Sequence, residues 1–78
     1  MNVLEKMKND VYSVLGLNVE YDFGGTRPIT STIADARIKE YKVILDGEEF
    51  TGKNYLISFI DCPWSFYGVY ENNIKVLD

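Results

Sequence analysis

Carboxylates are the groups in this chain numerous enough to suggest chemistry: twelve Asp and Glu stand against eight Lys and Arg, with no histidine. Paired carboxylates serve glycoside hydrolysis, and clustered ones hold hard cations. Asp46, Glu48, Glu49 and Asp61 are the material for either. The run Asp46-Gly47-Glu48-Glu49 lacks the alternating spacing of a calcium loop, so it reads as a solvated turn. The absence of histidine removes the commonest general base together with the commonest metal ligand. Cys62 is the single thiol. It cannot close an internal disulfide, and Pro63 follows it with neither a helix amino terminus nor a cation beside it in sequence, so it reads as a structural cysteine in a reducing compartment. No enzyme, cofactor or metal is expected.

Two further patterns touch on ligand chemistry. Gly24-Gly25-Thr26-Arg27 pairs glycines with a cation, but no lysine follows and no helix opens there, so the phosphate-loop pattern is absent. The aromatic strand Ser65–Tyr70 lacks the basic residue that opens the base-stacking strand of RNA-recognition motifs, and the net charge of −4 opposes a phosphate backbone or an anionic membrane. A partner protein with a basic surface fits that charge better. Nucleic acid and membrane partners are not expected.

What remains is a surplus of rings. Lys53–Tyr70 holds six of the eleven aromatics and reads apolar on both sides. In a strand, Tyr55, Ile57 and Phe59 point one way while Leu56, Ser58 and Ile60 point the other. One helix can cover only one of these faces. If it covers Tyr55, Ile57 and Phe59 together with Tyr41, Val43 and Leu45, then Leu56, Ile60, Phe66 and Tyr70 lie on the other face with Trp64 at the corner. Such exposed rings are the usual anchors of protein interfaces.

The elements that must position these residues are legible in part. Val3, Leu4, Met7, Val11, Val14 and Leu15 recur at helical spacing, with Asn2 and Glu5 as a capping box and Gly16 as the stop, which predicts a helix over Asn2–Leu15. Asn18–Phe23 alternates as a strand and ends at Gly24-Gly25. Ile29–Asp46 reads as one long strand broken near Asp35, with a short helix from Thr32 as the alternative. Asp46-Gly47 turns the chain. Glu48–Asn54, with Thr51-Gly52 as a second turn, reads as a loop whose Phe50 tucks under the sheet edge. Tyr55–Asp61 is an interior strand, halted at Pro63. Trp64–Tyr70 and Ile74–Leu77 follow as strands around a turn at Glu71-Asn72-Asn73.

The fold expected is α+β, one domain over residues 1–78: an amino-terminal helix on a curved antiparallel sheet of four or five strands, with closure into a small barrel as the alternative. The segment MNVLEKMKND carries charges where a secretory signal needs an apolar core, so a cytoplasmic protein beginning at Met1 is expected. The function expected is non-enzymatic: a small acidic binding protein of the kind by which phages and mobile elements inhibit host enzymes or defence systems, acting by occupying a macromolecular surface. Trp64, Phe66, Tyr70, Leu56 and Ile60 would form the contact, with Asp46, Glu48 and Glu49 as its acidic part. A homodimer is the other cover for that face. The alternative function is sequestration of a nucleotide or similar small ligand, with rings to stack it and Arg27, Arg37 or Lys53 to hold phosphate.

Overall fold

The computed structural model of the chain describes residues 2–77; Met1 and Asp78 lie outside them. A short helix, α1 (Val3–Asn9), and a 3-10 helix (Val11–Val14) precede five strands: β1 (Asn18–Tyr21), β2 (Ile29–Leu45), β3 (Glu48–Phe59), β4 (Cys62–Gly68) and β5 (Ile74–Val76). The strands form one antiparallel sheet in the order β4-β3-β2-β1-β5. This is the α+β fold of the sequence reading, with the sheet open rather than closed into a barrel.

The capping box forms as expected: the Asn2 Oδ1 accepts from the Glu5 N–H at 2.8 Å, and the Asn2 Nδ2 donates to the Glu5 carboxylate at 3.3 Å. The helix ends early, however. Asp10 leaves the helical region with φ −154° and ψ 109°, and its side chain accepts from the Tyr12 N–H, starting the 3-10 segment. A capping aspartate inside an apolar stripe therefore splits the expected helix in two. Gly16 takes the left-handed conformation at φ 85°, as a helix stop should.

Val3, Met7 and Val14 from the helical segments bury against Val19, Tyr21, Ile33, Ala36, Ile57, Phe59, Val69 and Ile74. One β-bulge decides which residues reach this core. Between Ile33 and Asp35 the register slips by one residue, so Ile33 and Ala36 both face the helix although they are three apart. The break expected near Asp35 is this bulge, and it reverses the parity of everything beyond it. Tyr41, Val43 and Leu45 pair with Gly52, Phe50 and Glu48, and Arg37 pairs with Leu56. They share the face of Leu56, opposite that of Ile57, which corrects the expectation that the helix covers them.

Two further boundaries differ from the sequence reading. Glu48–Asn54 is not a loop but the outgoing half of a continuous strand, because Gly52 sits in register opposite Tyr41 with the tyrosine ring lying over it. An aromatic ring over a strand glycine shields the backbone that the missing side chain exposes. Gly52→Ala is expected to drive that ring into solvent, since the added Cβ would overlap it. The check is the upfield ring-current shift of the Gly52 Hα protons, which Tyr41→Leu should abolish in the otherwise native protein; overall stability should move by less than about 1 kcal/mol. Pro63 does not end the pairing either. The chain reverses at Ile60-Asp61, Cys62 pairs with Phe59, and Pro63 falls in the irregular start of an edge strand, where no amide proton is needed.

The β1–β5 side of the sheet is tied to β4 across the curl of the sheet by side chains. The Tyr21 hydroxyl donates to the Gly68 carbonyl at 2.5 Å. The Asn73 Nδ2 donates to that carbonyl at 2.9 Å and to the Tyr21 oxygen at 3.3 Å, while its Oδ1 accepts from the Tyr70 N–H at 2.9 Å. Tyr21 also packs against Phe23, Phe59 and Tyr67. Burial pushes the Tyr21 hydroxyl above its ordinary value of 10.0, and Tyr70 adds to the shift. A raised folded-state value means that the native protein holds this proton more tightly than the unfolded chain. Its stabilisation is full below pH 10.0 and is lost as pH rises through the folded value. Urea midpoints should therefore fall on the alkaline side of pH 10, and Tyr21→Phe should flatten that fall; an unchanged alkaline slope in the variant would exclude Tyr21 as its source.

Candidate binding face

β2 runs for 17 residues, whereas β1 has four and β5 three. At roughly 3.3 Å per residue, β2 is on the order of 56 Å long before twist and bend, against about 10 Å for the seven residues of α1. Among the described residues, no element of the body is long enough to cover it. β1 pairs with β2 only over Ile29–Thr32, and β4 pairs with β3 only over Leu56–Phe59. From residue 38 to residue 54 the chain is a two-stranded ribbon that extends the molecule to 44 × 29 × 25 Å.

The ribbon is apolar where it is least covered. Ile44, Leu45 and Phe50 are 68%, 60% and 49% exposed, and Tyr41, Val43 and Ile38 are exposed as well. Cross-strand register assigns faces: Tyr41, Val43, Leu45 and Phe50 lie with Leu56 on the side away from the helix, whereas Ile38 and Ile44 lie with Tyr55 and Glu49 on the other. Phe50 does not tuck under the sheet; it stands opposite Val43.

The residues singled out from sequence divide between body and ribbon. Leu56 and Phe66 are half-buried on the helix-free face, and the Arg37 guanidinium lies 4.1 Å from the centre of the Phe66 ring. A cation over a ring keeps its charge at the surface while shielding apolar area. Ile60 occupies the β3–β4 reversal and is exposed; Trp64, in the irregular part of β4, is 75% exposed. Tyr70 lies beyond the end of β4 with its ring over Gly68. Asp46, Glu48 and Glu49 sit at the ribbon tip, where Asp46 and Gly47 both take positive φ, 51° and 79°, in the turn. Glu49 pairs with Lys42 at 3.0 Å.

The cations of the small-ligand reading do not converge. Arg37 and Leu56 share one face, Lys53 pairs with Glu40 on the other, and Arg27 stands in the β1–β2 loop. An open groove of about 560 Å³ lies along the ribbon, lined by Glu40, Tyr41, Lys42, Thr51, Gly52 and Lys53, with one ring and no arginine. Among the described residues no three acids or thiols gather as metal ligands, and no helix is long and apolar enough to cross a membrane.

Sequence reasoning missed the ribbon residues Tyr41, Val43, Leu45 and Phe50 by assigning them to the core or to a loop. The signal was present: Val43-Ile44-Leu45 is apolar on consecutive positions, hence on both faces, directly before a turn. No known family, curated protein or solved structure matches this chain.

Proposed function

We propose that this is a non-enzymatic binding protein that covers a surface of another protein with the helix-free face of its sheet. The observation that carries this reading is the exposed apolar strip of Leu45, Val43, Phe50 and Tyr41 on the ribbon, which the pair Lys39 and Asn54 separates from the half-buried Leu56 and Phe66 on the same face. Solvent-exposed apolar strips of this extent with rings as anchors mark interaction sites. The strip ends at Asp46 and Glu48, so the partner fitted to it has an apolar centre and lysine or arginine at its rim. Inhibition follows from occupancy alone, since a partner whose working surface is covered cannot use it. A phage or mobile-element protein that disables a host enzyme or defence system would act in this way.

The test is capture and inhibition with matched variants. Wild-type protein should retain a partner whose activity falls on binding. Val43→Asp with Phe50→Asp should lose both effects, while Tyr12→Asp, an exposed change on the 3-10 segment, should keep them. Equal behaviour of the two variants would overturn the assignment of this face.

A further inference from the structure

We propose that a second copy of this chain pairs with the outer edge of β2, the two ribbons running antiparallel about a two-fold axis at Tyr41. This concerns the edge of the ribbon rather than its face, and it does not depend on the partner reading above. Beyond Thr32, β1 no longer covers β2, so residues 37–45 have β3 on one side and an open edge on the other. An open strand edge presents unpaired N–H and C=O groups to any second strand.

The turn fixes which groups are open. With positive φ at Asp46 and Gly47, the ribbon closes in a two-residue turn of the I′ kind, flanked by the pair Leu45 and Glu48. That pair bonds inward, and alternate residues follow it, so Ile44, Lys42, Glu40 and Ile38 direct their backbone groups outward. The same count makes Tyr55, the cross-strand partner of Ile38, an outward residue of β3, and its carbonyl does accept from the Val69 N–H at 2.8 Å on the far side.

These four outward residues are self-complementary on reversal. With the axis at Tyr41, Ile38 stands opposite the partner's Ile44, and Glu40 stands opposite the partner's Lys42. Each pair occurs twice by symmetry, as an isologous contact requires. Directly opposed residues share a face, so both are contacting pairs, apolar with apolar and acid with base. The two neighbouring registers fail. An axis at Glu40 opposes the two copies of that carboxylate, and an axis at Lys42 opposes two ammonium groups. Longer-range charge agrees: the ribbon base carries Arg37, Lys39 and Lys53 against Glu40, whereas its tip carries Asp46, Glu48 and Glu49 against Lys42. Antiparallel ribbons lay each acidic tip beside the partner's basic base. Lysines on an edge ordinarily deter pairing; here Lys42 is matched in this one register. The outward run of β3 is shorter, since Tyr55 already bonds to Val69; Lys42 pairs with Glu49 within the chain, and its ammonium, with three donors, keeps others for the partner's Glu40.

The test uses the full chain in sedimentation equilibrium over a range of concentrations, with circular dichroism verifying the fold of every sample. The wild type should dimerise. Glu40→Lys and Lys42→Glu, each at an exposed position, should each raise the dissociation constant by roughly tenfold or more, because like charges then stand opposed twice in each dimer. An equimolar mixture of the two variants should dimerise again, since each then offers the charge that the other lacks. A wild type that stays monomeric at all concentrations overturns the proposal, as does a dimer indifferent to both substitutions. A mixture no better associated than its components overturns the register.

Discussion

Replacing Ile57 with alanine is expected to cost about 2–5 kcal/mol of unfolding free energy, the range for emptying a fully buried aliphatic site. Ile57 is completely inaccessible, lies in a strand paired on both sides at that point, and belongs to the core cluster under the helical segments. A chain of 78 residues has on the order of 4–12 kcal/mol in total at typical values per residue. One substitution therefore consumes a large share, and a sizeable unfolded fraction should appear at physiological temperature. Urea unfolding followed by Trp64 fluorescence or circular dichroism reads the loss. The contrasting change is Ile44→Ala on the ribbon, expected within about 0.5 kcal/mol for the monomer because that side chain already stands in water. A similar cost at both positions would mean that the ribbon is packed and that the division into body and arm is wrong.

Asn73→Ala is expected to lower stability by about 1–3 kcal/mol, more than an exposed asparagine usually costs. Its amide holds the Gly68 carbonyl, the Tyr21 oxygen and the Tyr70 N–H together. Removing it leaves the Tyr21 hydroxyl as the one side-chain donor on the Gly68 carbonyl among the described residues. There is a second signature. The Asn73 amide holds the Tyr21 hydroxyl value down against the effect of burial, so the variant should ionise Tyr21 at still higher pH. The difference in alkaline tyrosinate absorbance between each protein and its Tyr21→Phe counterpart isolates Tyr21 among the six tyrosines. A Tyr21 titration that stays in place or moves downward would show that the amide does not act on the phenol.

The body of the fold was legible because its signals are local. The Asn2 and Glu5 cap, the Gly16 stop, the Asp46-Gly47 turn and the alternation of Asn18–Tyr21 each need only a few neighbours to be read. Faces were not legible, because one extra residue near Asp35 inverts the parity of the ten positions that follow, and sequence alternation alone does not say on which side of a bulge the core continues. Gly52 misled for a related reason: a strand glycine under a ring looks like a turn until its cross-strand partner Tyr41 is known. The split of the candidate contact residues between body and tip follows from the length of β2, which alternation does not limit. The tie between Tyr21, Gly68 and Asn73 had no sequence signature, since it joins positions 47 and 52 residues apart.

That separation bears on the order of assembly. The β2–β3 ribbon joins residues beside a single two-residue turn, and hairpins of this kind close in microseconds. The Tyr21–Gly68 bond spans 47 residues, so it must wait until β1 has found β2 and β4 has found β3, with a larger loss of chain freedom at each closure. Folding is then expected to run from the hairpin inward and to finish at the seam. Interactions made after the rate-limiting step act mainly on escape from the native state. On that order the Tyr21–Asn73 seam is a latch: its loss should shorten the time a molecule stays folded once it has arrived and leave how quickly it gets there almost unchanged.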